Sequence, residues 1–91
     1  MNSEHKGQER IQWMRDQLET HLSPSSLIIH DDSHKHVGHE GAKGGAGHFT
    51  VEIASPHFNQ KSLIECHRMV YSVLAQAIPT EIHALKIKVL K

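Results

Sequence analysis

The sequence predicts one small α+β domain: a three-stranded mixed sheet with helices on one face, in the order helix, strand, strand, helix, strand. Three observations lead there. Two stretches carry apolar residues at helical spacing, and two others alternate apolar and polar residues as strands do. Prolines stand at the joints between them (Pro24, Pro56, Pro79). The second helical stretch also lies between two strands, and a strand-helix-strand crossover within one sheet makes those strands parallel and the connection right-handed. Ninety-one residues leave room for a single lean core, so the whole of 1–91 is read as one domain.

The elements follow in order. Residues 1–8 have no apolar period and are expected to be disordered. From about Glu9 to Leu22, Ile11, Met14, Leu18 and Leu22 trace one stripe of a helix that stops at Ser23-Pro24. Trp13, beside the stripe, is expected over the edge of the core. Leu27, Ile28 and Ile29 form a short first strand ending at His30-Asp31-Asp32. The second strand alternates most clearly, with Phe49, Val51 and Ile53 on one face and His48, Thr50 and Glu52 on the other. Ser55-Pro56 breaks it, and Phe58 turns back to the core. Ser62 with Glu65 makes a capping box that opens the second helix. Its inward face reads Leu63, Cys66, His67, Val70, Leu74 and Ala77, and Pro79 ends it. The third strand, Ile82 to Leu90, is expected to place His83, Leu85, Ile87 and Val89 on one face and to point Lys86 and Lys88 away.

Between the first two strands lies a segment of another character. From Asp31 to Phe49 the chain reads DDSHKHVGHEGAKGGAGHF, with four of the ten histidines and five of the six glycines. Residues 33–47 carry no hydrophobic period, and so long a connection in a small domain is commonly functional or disordered. The topology gives this loop a neighbour. Parallel strands start at the same sheet edge, so the loop, entering strand two, should meet His83 at the start of strand three. The second helix runs back toward that edge, and the negative end of its dipole would favour a cation there. His34, His36, His39 and His48 are therefore candidate ligands with His83.

Composition narrows the function. Ten basic and ten acidic side chains cancel, which argues against a strong pull toward nucleic acid or anionic membrane. The single Cys66 excludes an internal disulfide framework and suits a reducing cytoplasm. No apolar run approaches the roughly 18 residues of a membrane span, and MNSEHKGQER has no apolar region resembling a signal peptide. The glycines lack a P-loop lysine followed by serine or threonine and precede a strand instead of opening a helix, so phosphate binding is a weak reading. No nucleophile sits in a motif with a recognisable base, so the protein is not expected to be an enzyme.

Taken together, Asp32-Ser33 through His36, Gly38-His39, His48-Phe49 with Val51, Phe58, Lys61-Ser62-Leu63, His67-Arg68 with Val70-Tyr71, and Ile82-His83-Ala84-Leu85 resemble the BolA family over most of the chain. The resemblance implies a fold similar to class II KH domains and partnership with a monothiol glutaredoxin, the two proteins sharing a 2Fe-2S cluster with glutathione. Carried over, the motif histidine is His83 and the loop ligand falls on His36, with His34 and His39 as near substitutes. This makes the chain a histidine-loop variety. Histidine is an accepted iron ligand and raises a cluster's potential when it replaces thiolate. Extra loop histidines also suggest a looser affinity for zinc, copper or nickel. Cys66, where the family commonly has a long polar residue, reads as a small packing residue. His67 reads as a core histidine, and His48 as a brace for the loop first and a ligand second.

The alternative function is DNA-binding transcriptional regulation through the KH-like fold, with Arg68, Lys86 and Lys88 as a modest basic patch. Gly38 and Gly41 have the spacing of a KH clamp, but that clamp joins two helices, whereas these join two strands. A homodimer of the free protein is a further candidate assembly.

Overall fold

Each change of hydrophobic period is a change of element in the computed structural model, which describes residues 3–33 and 47–90. Helix α1 spans Ser3–Leu22, strand β1 Ser26–Asp31, strand β2 Gly47–Ala54, helix α2 Leu63–Leu74 and strand β3 Ile82–Val89, with short 3-10 turns at Pro56–Phe58 and Ala75–Ala77. Among the described residues these strands form one mixed sheet in the order β1-β2-β3, antiparallel between β1 and β2 and parallel between β2 and β3. The two helices supply the other side of the core.

Met14, Leu18 and Leu22 of α1 are buried, and Ile11 and Trp13 pack half-buried against the same cluster. The helix starts at Ser3, not near Glu9, so of the stretch expected to be disordered residues 3–8 are helical. Glutamate, lysine, glutamine and arginine propagate a helix well. Gly7 also lies against the end of β1, where an added Cβ would stand 2.5 Å from Asp31 Oδ2. At the other end Ser23 adopts a left-handed φ of 43°, and its N–H donates to Glu19 O. The buried Ser55 hydroxyl donates to Leu22 O at 2.6 Å, satisfying a carbonyl that the end of the helix leaves without a partner.

In β2 the alternation holds: Phe49, Val51 and Ile53 are buried while His48, Thr50 and Glu52 are half-buried on the opposite face. The third strand differs from expectation. Its pairing with β2 slips between Gly47, opposite Ile82, and His48, opposite Ala84, which leaves His83 as an extra residue. Such a bulge re-aims the side chains on either side of it. Ile82 is 1% exposed and takes the core position assigned to His83, whereas His83 is exposed. Leu85, Ile87 and Val89 keep the core face and Lys86 and Lys88 the open one.

Helix α2 buries Cys66, Val70 and Leu74, each 0% exposed. Two residues of its expected inward face do not join them. Leu63 is 59% exposed because it occupies the first turn and overhangs the core, and His67 is half-buried because it sits at the flank of the stripe. The Tyr71 hydroxyl donates to Leu85 O at 2.8 Å, fastening α2 to β3.

The capping box forms as expected: Glu65 N–H donates to Ser62 Oγ and Ser62 N–H to Glu65 Oε1, both at 3.1 Å. The hydrogen bond from the Ser62 backbone holds the Glu65 carboxyl below its ordinary value of 4.5, helped by the Ser62 side chain. A depressed folded value means that this contribution is complete above the unfolded value and is lost as pH falls through the folded one. Ser62→Ala is expected to cost about 1 kcal/mol in urea unfolding at neutral pH. The gap from wild type should narrow in acid as Glu65 protonates. A gap that stays constant through that range would show that the Ser62 hydroxyl does not act through the Glu65 carboxylate, the backbone N–H bond being kept in both proteins.

Candidate functional site

One edge of the sheet collects the chain's chemistry. The end of β1, the start of β2 and the start of β3 meet there, since β2 runs antiparallel to the first and parallel to the last. Asp32 N–H donates to His48 O at 2.7 Å, and Gly47 N–H to Glu81 O at 2.9 Å. Side chains tie the same corner. Asp31 Oδ1 accepts from Ser33 N–H at 2.9 Å, Ser33 Oγ accepts from His48 N–H at 3.1 Å, and Thr50 Oγ1 donates to Asp32 Oδ2 at 2.5 Å. Both ends of the glycine- and histidine-rich loop are thus held side by side next to His83.

The imidazoles of His48 and His83 stand with ring centroids 5.1 Å apart, tilted by 54°. This is about the spacing of two imidazoles that share one tetrahedral ion through metal–nitrogen bonds of roughly 2.1 Å. The bulge produces it, turning His83 out of the core. The His48 backbone braces this corner, its N–H donating to Ser33 Oγ and its C=O accepting from Asp32 N–H. Sequence reasoning ranked His48 below the loop histidines. The signal that would have raised it was available: His48 heads the polar face of the strand whose parallel partner begins at His83.

The other expected ligands, His36, His34 and His39, lie outside the described residues, as do Gly38 and Gly41. Among the described residues no group of three or more histidines, cysteines, aspartates or glutamates is placed to hold a metal ion. The edge therefore offers two imidazoles from the described chain, a donor set that suits iron, zinc or copper but leaves coordination incomplete. Cys66 is free and buried in the core, consistent with packing. Arg68 is exposed on α2, whereas Lys86 and Lys88 are exposed on the sheet face turned away from the helices, so the three do not share one basic surface. No helix among the described residues is long and apolar enough to cross a membrane.

Comparison with known proteins agrees with this architecture. A family model described as BolA-like protein matches residues 18–91. The chloroplastic protein BOLA1 of Arabidopsis thaliana is 40% identical over 83 residues, covering 88% of this chain and 52% of that relative. The DNA-binding transcriptional regulator BolA of Escherichia coli is 34% identical over 77 residues, covering 85% and 68% respectively. Among solved structures, the BolA domain of SufE1 from Arabidopsis thaliana matches with a TM-score of 0.76 at 35% identity, over 88% of each chain. The chain spans about half the length of the BOLA1 relative and 21% of the SufE-like protein 1 that it also matches.

Gly47 is the narrowest point of this edge. A Cβ there would lie 2.5 Å and 2.7 Å from Phe49 ring atoms and 3.1 Å from Ser33 Oγ. The Phe49 ring is packed in the core and has little room to yield. Gly47→Ala should cost about 1–3 kcal/mol as an overpacking substitution, read by urea unfolding. It should also move the side-chain NMR signals of His48 and His83. Unchanged stability and unchanged histidine signals together would show that the corner is not held as tightly as its contacts indicate.

Proposed function

Because this chain belongs to the BolA-like family, we propose that it is an adaptor that docks on a monothiol glutaredoxin and co-ligates a 2Fe-2S cluster. The role is in cluster trafficking or iron and redox regulation. The observation that carries this reading is the exposed His83, turned outward by the β3 bulge, with a second imidazole, His48, beside it. His83 supplies one nitrogen. The second comes from His48 or from the loop at His36, with His34 and His39 as neighbours. The glutaredoxin and its glutathione supply the thiolates that two imidazoles alone leave wanting. Imidazole ligation raises the potential of the shared cluster relative to an all-thiolate one. The hydrogen bonds through Ser33 and Gly47 hold His48 and the start of β3 in place, and the family's regulatory and adaptor roles involve no catalysis by the chain itself. The buried lone Cys66 suits a reducing compartment such as the cytoplasm.

A second reading, DNA-binding regulation, has the name of the Escherichia coli relative and the paired exposure of Lys86 and Lys88 in its favour. Zero net charge and the separation of Arg68 from that pair weigh against it. Binding that fell steeply with salt would be its signature.

The test is anaerobic reconstitution with a monothiol glutaredoxin, glutathione, iron and sulfide, followed by size-exclusion chromatography with visible absorbance and circular dichroism. We expect a one-to-one coloured complex whose spectrum differs from that of the glutaredoxin homodimer. His83→Ala should reduce its yield by about tenfold or more, since even groups behind a metal ligand are worth that much. His48→Ala and His36→Ala, made separately, identify the second ligand by which one shifts the spectrum. If the cluster stays on the glutaredoxin and the two proteins elute apart, co-ligation is wrong.

A further inference from the structure

A cleft of about 520 Å³ between the first half of α1 and the turn leading into β3 takes no part in that reading. Its volume falls in the roughly 300–1,000 Å³ range of small-molecule sites, and like them it is mostly apolar with a few charged groups. Trp13, Met14 and Ile82 supply the apolar wall, and Glu9, Arg10 and Glu81 the charge.

The charges decide what kind of ligand fits. The Arg10 side chain, 10% exposed, is held in the wall by an ion pair to the half-exposed Glu81, Nε to Oε1 at 3.1 Å. Its charge is matched there by Glu81, which leaves the exposed Glu9 carboxylate as the surplus. Among the described residues of the lining, two carboxylates stand against one guanidinium, a net negative set. The Ala75–Ala77 turn that continues α2 also borders the cleft, and the C-terminal end of a helix carries partial negative charge. Trp13 adds the aromatic side chain that attracts cations most strongly. Apolar wall, negative surplus and tryptophan converge on one chemistry.

We propose that this cleft binds a small organic cation, a primary amine on an aromatic or branched apolar body. The body lies against Trp13, Met14 and Ile82, and the ammonium meets Glu9, the carboxylate that the Arg10–Glu81 pair leaves over. Such a ligand would lie against Glu81 and Ile82, the two residues that lead into His83, and the Glu81 carbonyl receives the Gly47 N–H. Occupancy would therefore be felt at the histidine edge without any contact with it.

Trp13 is the only tryptophan in the sequence, so its emission reports this site alone. The full chain is titrated with phenethylamine and, separately, with 3-phenylpropionate, which has a similar body and the opposite charge. We expect a saturable change in Trp13 emission with phenethylamine and binding about tenfold or more weaker for phenylpropionate, a gap typical of a charge contact added to cation–π attraction. Glu9→Gln, which leaves the Arg10–Glu81 pair intact, should remove most of that preference. With its native circular dichroism unchanged, this variant must weaken phenethylamine without weakening phenylpropionate. Equal affinity for the two probes, or no saturation with phenethylamine, overturns the proposal.

Discussion

The parallel pairing of β2 with β3, slipped by one residue at its start, is the constraint on which the rest depends. Ile82 and Leu85 are three positions apart, so on a regular strand they would face opposite sides of the sheet. Both belong to the core side here. The extra residue at His83 makes that possible, because it resets the alternation before Leu85, Ile87 and Val89 take it up. Ile82 anchors the strand, and His83 is turned out as a consequence. The placement of an exposed imidazole and the filling of the core are thus one event. The crossover through α2 then brings this start of β3 level with the start of β2, where the histidine-rich loop comes in.

What was legible in the sequence was whatever local rules determine. The capping box of Ser62 and Glu65, the stripe of Met14, Leu18 and Leu22, and the alternation from Phe49 to Ile53 each depend on residues a few positions apart, and each formed as read. The element order also held, because prolines and period changes mark it. The failures share a different cause. The bulge depends on how Gly47 meets Ile82, a contact between distant residues that no local period reveals. The early start of α1 runs past Gly7, where a close approach to Asp31 across the fold leaves no room for a Cβ. Leu63 is exposed because the core ends before the helix does, which a helical period cannot show.

The same reasoning explains the uneven reading of the site. His83 was placed at the correct edge because parallel strands share one, an argument from topology alone. Its neighbour His48 was ranked below the loop histidines because these are numerous and His48 is only one residue in a strand. Yet a residue in a strand is held by the sheet, as His48 is through Ser33 and Asp32. Preorganisation therefore favours His48, and abundance favours the loop. This physical difference makes the identity of the second ligand a sharp question.

Two imidazoles at a sheet edge are a poor resident metal site and a reasonable shared one. A site meant to keep its ion closes its coordination with its own side chains, as structural zinc sites do with four. Here the described chain places two histidines together and no third donor among its carboxylates or its thiol, Cys66 being buried in the core. An incomplete set gains full affinity only when a second molecule brings the missing ligands. Binding of metal and binding of partner then become linked, each strengthening the other by the same factor. On the proposed reading, an exposed His83 beside a half-buried His48 held by the sheet leaves a donor within reach of a partner, which a buried, complete site would not.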